Sequence, residues 1–273
     1  VSDRLAAVGG PAWTGGAATP HATCVLAPNP SVLTLDGTNT WLVGDPAAGE
    51  VLIIDPGPLG DGHGEAIAAQ LQRWQARAAG ILLTHGHLDH SAGAAALAGR
   101  LRCGVRALDP AHRLGAEGLQ DGQTIALPGG AELRVVATPG HSGDSLSFLL
   151  EPDGALLTGD TVLGRGTTVV AHPDGRLGDY LASLARLRAL AEQTGARHVL
   201  PGHGPVQPDP VGLLDAYLEH RAARLAQVRA ALDGGAQSVA DVVALVYADV
   251  PQAVWPAASL SVAAQLAYLR GLG

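Results

Sequence analysis

The chain has 273 residues, 47% of them hydrophobic and 15% charged, a balance that excludes a disordered polymer and supports one sizeable core with length left for a small appendage. Its formal charge of −8 combines 25 acidic residues with 17 basic ones, all arginine, so a polyanion would need a local positive site against an unfavourable background. No run reaches the ~18 uncharged apolar residues of a membrane helix, the opening VSDRLAAVGGPAW lacks the apolar core of a secretory leader, and Cys24 and Cys103 are too few for a disulfide framework. A cytoplasmic protein with two packed thiols is expected.

Runs of β type at 24–29, 41–44 and 51–55, separated by Gly, Pro and Asn clusters, predict consecutive strands. From 62 to 79 the apolar spacing is helical, and ILLT at 81–84 follows as a buried strand, which makes a β-α-β unit. SAGAAALAGR at 91–100 predicts another helix. Strands are expected at 124–128, 132–139, 145–151 and 154–159, then a helix over 178–193 and a last strand at 198–201. After Pro210 the strand pattern stops. A long helix runs from 211 to the stop signal Gly234-Gly235, and helices at 238–250 and 259–272 follow, with Pro251 and Pro256 breaking the interval. The expected organisation is an α/β domain over 1–207 and a small helical subdomain over 208–273.

The segment His85-Gly86-His87-Leu88-Asp89-His90 follows a strand end with four metal-ligand side chains within six residues. In extended backbone, residues two apart point the same way, so His85 and His87 can grip one cation. Where the chain turns into a helix, Asp89 and His90 are redirected and can hold a neighbouring one. Three more candidates stand at strand ends beside glycine, which permits close approach: His141 in TPGH, Asp160 in TGD and His203 in PGHG. Five histidines and two aspartates exceed the four ligands of a closed structural site. They suit two divalent cations ~3.5–4 Å apart, with a carboxylate between them and coordination positions open to water and substrate.

In this order, HGHLDH, TPGH, TGD and PGHG resemble the metallo-β-lactamase superfamily, over roughly residues 22–205. The resemblance implies an αββα sandwich in which His85, His87 and His141 hold the first metal, Asp89, His90 and His203 the second, and Asp160 bridges them. It implies a hydrolase whose nucleophile is a hydroxide between the metals, with Asp89 orienting it or accepting its proton. Zinc is the first expectation, and mixed His and carboxylate ligands also accept manganese or iron. Antibiotic-hydrolysing zinc enzymes of the superfamily commonly carry cysteine in the second site, where this chain has Asp160. LTLDGTNTWLVG (33–44), IIDPGP (53–58), DTVLGRGTTVV (160–170), PGHGP (201–205) and HRAARLAQV (220–228) further resemble the lactamase-beta-2-like branch. That branch carries a C-terminal winged-helix-like subdomain, which the helical tail fits.

By this resemblance, members of the branch include endoribonucleases selective for single strands and thioesterases. Hydrolysis of single-stranded RNA is the first expectation, although the segment after Pro205 has four arginines against six acidic residues and so lacks a basic stripe. Arg165 and Arg176 are then the candidates for phosphate contact. Hydrolysis of a thioester or small ester is the alternative, and a non-enzymatic binding module stabilised by metal is the third reading. His172, Tyr180, Thr167 and Thr168, all after Asp160, are pocket candidates that ordinary packing explains as well. Asp55 in IIDPG can orient a ligand histidine or simply make the turn before Pro56. His21, His63, His112, His198 and His220 have no ligand spacing and are expected to be structural or exposed.

Overall fold

The computed structural model describes residues 12–127, 129–248 and 252–271. The expectations that fall on 1–11, Pro128, 249–251 and 272–273, including the absence of a leader and the break at Pro251, lie outside these residues. The first sheet runs in chain order: β1 (Gly16–Thr19), β2 (Ala22–Leu26), β3 (Asn39–Val43), β4 (Glu50–Ile54), β5 (Arg77–Leu82) and β6 (Val105–Arg106). It is antiparallel up to β4 and parallel from β4 to β6. The second sheet comprises β7 (Thr124–Ala126), β8 (Glu132–Ala137), β9 (Leu146–Leu150), β10 (Ala155–Gly159), β11 (His198–Pro201) and β12 (Gln207–Pro208), with only β10 and β11 parallel. Parallel neighbours need a crossover. The helices α1 (His63–Trp74), α2 (Leu88–Ser91), α3 (Ala94–Leu101) and α4 (Leu177–Thr194) lie in those connections.

Between the sheets, Trp41, Val43, Ile54 and Leu82 pack in one core with Val135, Phe148, Leu157 and Leu200. On the outer face of the first sheet, Ile67 and Leu71 of α1 and Leu97 of α3 cover Val51, Ile53 and Ile81. On the outer face of the second, Leu184 and Leu187 of α4 and Leu214 of α5 (Pro210–Asp233) cover Val136, Leu149 and Leu156. This is the expected αββα sandwich. Strands buried on both faces lose the apolar–polar alternation, which is why Leu146–Leu150 reads as a continuous buried run.

The C-terminal helices are α5, α6 (Val239–Val246) and α7 (Trp255–Leu269). Leu213, Leu214 and Tyr217 in the first half of α5 belong to the core beneath α4, while Val228 and Ala231 in its second half join Val242, Val243 and Val262 in a separate small core. One long helix therefore ties the tail to the sandwich. Among the described residues no helix is long and apolar enough to cross a membrane.

Three expectations change. The helix expected over 62–79 ends at Trp74, because Gln75 turns to φ +52° and its N–H closes on the carbonyls of Leu71 and Gln72; Arg77–Leu82 then pairs with β4. The helix expected at 91–100 is interrupted at Gly93, whose N–H meets the Gly57 carbonyl at 2.8 Å and where a Cβ would stand 2.4 Å from that oxygen. Pro256 lies in the first turn of α7, where its missing N–H has no intrahelical partner to lose, so it starts a helix instead of breaking one. The strands β1, β6 and β12, two to four residues long, have no expectation behind them; pairing holds them, with no periodic signal of their own.

Candidate metal centre

All seven expected ligand side chains meet at one end of the two sheets. His85, His87, Asp89 and His90 follow β5 and enter α2, His141 follows β8, Asp160 follows β10, and His203 follows β11. His85, His87 and His141 bring one nitrogen each within 4.8 Å of one another, and Asp89, His90, Asp160 and His203 do the same with one donor atom each. Asp160 faces both groups: Oδ1 lies 3.3 Å from His90 Nε2, and Oδ2 lies 3.4 Å from His203 Nε2 and 3.7 Å from His141 Nε2.

The outer ring nitrogens fix the inner ones. His90 Nδ1 donates to Asp55 Oδ2 at 2.8 Å, His203 Nδ1 to the Gly37 carbonyl at 3.1 Å, and His141 Nδ1 to the Val169 carbonyl at 2.8 Å. Thr84 Oγ1 donates to Asp55 Oδ2 at 2.6 Å, so it accepts from His85 Nδ1 at 3.0 Å. His87 Nε2 stands 3.5 Å from Asp174 Oδ2. With hydrogen on each outer nitrogen, the inner nitrogen carries a lone pair. His90 Nε2 faces His203 Nε2 at 3.2 Å and His141 Nε2 faces His87 Nδ1 at 3.0 Å, so ring nitrogens meet nose to nose in both groups, and where two such rings are neutral with hydrogen on the outer nitrogen their lone pairs oppose each other. Buried His85 Nε2 and Asp160 Oδ1 have no hydrogen-bond partner at all. A cation in each group would take the facing nitrogens and these orphaned atoms as ligands, and the donor set fits a binuclear site.

The electrostatics agree. Burial pushes His85 well below its ordinary pKa, with His90 adding to the effect, and burial lowers His141 although Asp160 opposes it. Burial would lower His203 too, but Asp160 and Asp89 carry it up to about 9, and Asp160 and Asp55 likewise hold His90 well above its usual range. Burial would raise the Asp160 carboxyl, whereas His203 and His90 hold it well below the carboxylate range. Carboxylates thus draw positive charge into the buried cluster: without a cation, protons on His90 and His203 carry it, and a metal would take their place.

Close backbone packing sets the ligands. A Cβ on Gly202 would stand 2.5 Å from Asp160 Oδ1 and 2.8 Å from His90 Cε1, so only glycine admits the His203 loop at that distance. Asn39 Nδ2 holds the same loop by donating to the Pro201 and Gly204 carbonyls at 2.9 and 2.8 Å. Asp55, at φ +52°, also accepts from the Thr84 N–H at 2.8 Å, so it ties the strand end to His90. Its expected orienting role matches this geometry.

A cleft of about 330 Å³ opens over His87, Asp89, His141 and Asp160. Its other walls are mainly apolar: Leu35, Leu163, Val169 and Ala171, with Ala257 and Leu260 from α7 and, at the mouth, Val32 and Leu33, which are 70% and 60% exposed. Thr167 and Thr168 line it, and Thr168 Oγ1 donates to the Asp160 carbonyl at 2.7 Å. Arg165 lines it too but pairs with Asp36 at 2.5 Å. The other expected pocket residues stand elsewhere. Tyr180 is buried and donates to the Thr161 carbonyl at 2.7 Å, while His172 and Arg176 border a separate pocket against α7, Arg176 pairing with Asp179 at 3.2 Å. Packing of α4 against the Gly140 turn places Tyr180 in the core, where a Cβ on Gly140 would stand 2.2 Å from its backbone N.

The remaining histidines lie outside both ligand groups. His21 Nδ1 bonds Asp153 at 2.6 Å, His63 Nε2 meets Thr40 Oγ1 at 2.9 Å, and His112 packs on Gly86. His198 begins β11, and His220 lies on α5. Both cysteines are free, and burial pushes the Cys24 thiol far up. Thr84, Asn39, Asp174 and the mouth residues Val32 and Leu33 were not expected. Asn39 opens β3 beside a second polar residue, Thr40, ahead of the apolar Trp41, Leu42 and Val43, and this polar pair carried the readable signal.

The comparisons with known proteins bear on the same residues. Residues 33–203 match the metallo-beta-lactamase superfamily. The chain belongs to that superfamily. Residues 238–273 match the beta-lactamase associated winged helix domain, so the helical tail of this superfamily member also has a recognised counterpart. Lactamase-like protein vrtG of Penicillium aethiopicum is 37% identical over 217 residues, 78% of this chain and 66% of that protein. The atrochrysone carboxyl ACP thioesterase of Aspergillus fumigatus is 36% identical over 219 residues, 78% of this chain and 65% of that protein. The match thus spans slightly less than two thirds of these fungal relatives. The beta-lactamase-like protein 2 homolog of Caenorhabditis elegans is 34% identical over 243 residues, 85% of this chain and 78% of that protein. Among solved structures, a metallo-beta-lactamase family protein from Thermus thermophilus superposes with a TM-score of 0.75 at 25% identity, covering 92% of this chain and 94% of that one. A structure described as di-iron-bound superposes with a TM-score of 0.55 at 27% identity, covering 71% and 97%.

Proposed function

We propose that this protein is a two-metal hydrolase that cleaves thioesters of apolar acyl groups. His85, His87 and His141 would hold one cation and Asp89, His90 and His203 the other, with Asp160 facing both groups, zinc the first choice of metal and iron the alternative that the di-iron-bound neighbour supports. Two divalent cations in such a site supply a nucleophile from water at neutral pH and polarise the oxygen of the bond under attack. Asp89, half-buried at the cleft floor with Oδ2 3.2 Å from His203 Nε2, orients the attacking water and accepts its proton. Asp55, Gly37 and Val169 keep the ligand imidazoles turned inward.

The observation that carries the substrate class is the apolar cleft. Val32, Leu33, Leu35, Leu163 and Leu260 offer an acyl chain an apolar wall, while Arg165, the one cleft-lining cation outside the ligand groups among the described residues, is neutralised by Asp36. RNA, the first expectation from sequence, would need phosphate contacts that this wall does not supply. A thiol, with a pKa near ~8.5, also leaves without a proton donor, and no neutral acid lines the cleft among the described residues. The thioesterase among the relatives supports the same reading.

The test is turnover of hexanoyl-pantetheine, followed as free thiol, beside a labelled single-stranded RNA, using zinc-loaded protein and its Asp160→Ala variant. Thioester turnover that falls at least ~1000-fold in the variant is expected. RNA cleavage lost in the variant, with no thioester turnover in the wild type, would overturn the reading.

A further inference from the structure

The metal cleft shares a wall with a second cavity. Thr167, Thr168, Val169 and Ala257 line both, and the second, about 220 Å³, is bounded on its far side by His220, Arg221 and Arg224 of α5. Arg221 and Arg224, three apart, occupy one side of the helix, and His220 lies four before Arg224. Arg221 is only 6% exposed. Its guanidinium donates to the Thr168 carbonyl and stands 5.0 Å from the Tyr180 ring centroid, and its buried Nε has no hydrogen-bond partner. Arg224 donates to the Val246 carbonyl at 2.9 Å and to Gln227 Oε1 at 3.1 Å, 4.6 Å from the Tyr247 ring centroid.

Among the described residues neither arginine has a carboxylate within ion-pair distance, whereas Arg165 across the shared wall is neutralised by Asp36. A guanidinium buried without a counter-charge is costly, and in a chain of net charge −8 a pair left uncompensated marks a place where an anion is at home. Burial, reinforced by Arg221 and Arg224, lowers His220 to about 4, so near pH 7 its neutral ring can still donate one hydrogen bond.

We propose that this cavity is a subsite for a phosphate group on the thiol half of the substrate, with Arg221 and Arg224 as its anchors. The proposal rests on the thioester reading. The acyl half occupies the apolar cleft, the scissile bond lies over Asp160, and the thiol half crosses the Thr167–Val169 wall to the arginines. A terminal phosphate has three oxygens, enough for both guanidiniums and the imidazole together, where a carboxylate has two.

Hexanoyl-pantetheine and hexanoyl-4′-phosphopantetheine differ only in that phosphate and test the subsite directly. The ratio of their kcat/KM values is expected to favour the phosphorylated thioester at least tenfold in the wild type, to fall towards one in Arg224→Gln, and to be largely restored in Arg224→Lys. A ratio near one in the wild type, or a ratio unchanged in Arg224→Gln, overturns the subsite and leaves the thioester reading standing. If neither thioester is hydrolysed, the thioester reading fails separately, and calorimetric titration with 4′-phosphopantetheine then decides the subsite. Binding weakened about tenfold in Arg224→Gln upholds it, and equal or undetectable binding in both proteins overturns it. Circular dichroism of both variants checks that each is folded.

Discussion

At the scale of single residues, function rests on what stands behind the ligands. Asp55 accepts from Thr84 N–H through one oxygen and from Thr84 Oγ1 and His90 Nδ1 through the other. In Asp55→Asn an amide N–H would replace an acceptor opposite a donor, so affinity at the Asp89, His90, His203 group should fall about 10–100-fold while the other group keeps its metal; competition with a chelator dye separates the two. His63, outside both ligand groups, gives a test of stability. Burial lowers its pKa from 6.5 to about 4, although the Pro56 carbonyl opposes the shift. The unfolded chain therefore binds more protons than the folded one below pH 6.5, so stability is lost as pH falls from 6.5 towards 4. Between pH 7 and pH 5 the loss is about 2 kcal/mol, and urea unfolding of His63→Gln should show a flatter pH dependence over that window.

At the scale of elements, turns decide where ligands stand. Gly202→Ala would push a Cβ into Asp160 and His90, and a misplacement of ~1 Å is enough to reduce turnover about 100-fold with the fold intact by circular dichroism. In the tail, Ser238 caps α6 by accepting from Asp241 N–H at 3.1 Å, while Asp241 accepts from Ser238 N–H at 2.9 Å. Ser238→Ala should cost about 1 kcal/mol, lowering Tm by about 2–4 °C in a calorimetric scan. Sequence periodicity served such elements unevenly. The helices 177–194 and 210–233 were legible because their apolar spacing persists over many turns, whereas QARAA near 75–79 fits helix and strand alike until pairing with β4 chooses.

At the scale of the whole molecule, the centre joins both sheets, since His85 to His90 follow a strand of the first and His141, Asp160 and His203 follow strands of the second. Metal bound only by the folded state then stabilises the entire sandwich. With zinc at about a thousandfold over its dissociation constant the gain is ~4 kcal/mol, so a chelator should lower Tm by about 10 °C and added zinc should restore it. An unchanged Tm would count against a metal centre. The tail contributes at the same scale, because α7 brings Ala257 and Leu260 to a cleft whose ligands all come from the sandwich.

What the sequence determined by itself was the candidate ligand set and the class of fold. Ligand residues at strand ends are local patterns, and HGHLDH, TPGH, TGD and PGHG needed no tertiary information to be read as one cluster. The tertiary structure alone decided the surroundings. The facing ring nitrogens of His90 and His203, the neutralisation of Arg165 by Asp36, the apolar mouth at Val32 and Leu33, and the burial of Tyr180 away from the cleft each join segments far apart in the chain. No local spacing encodes such meetings, because they arise only when the sandwich closes and every side chain must find a partner or a void.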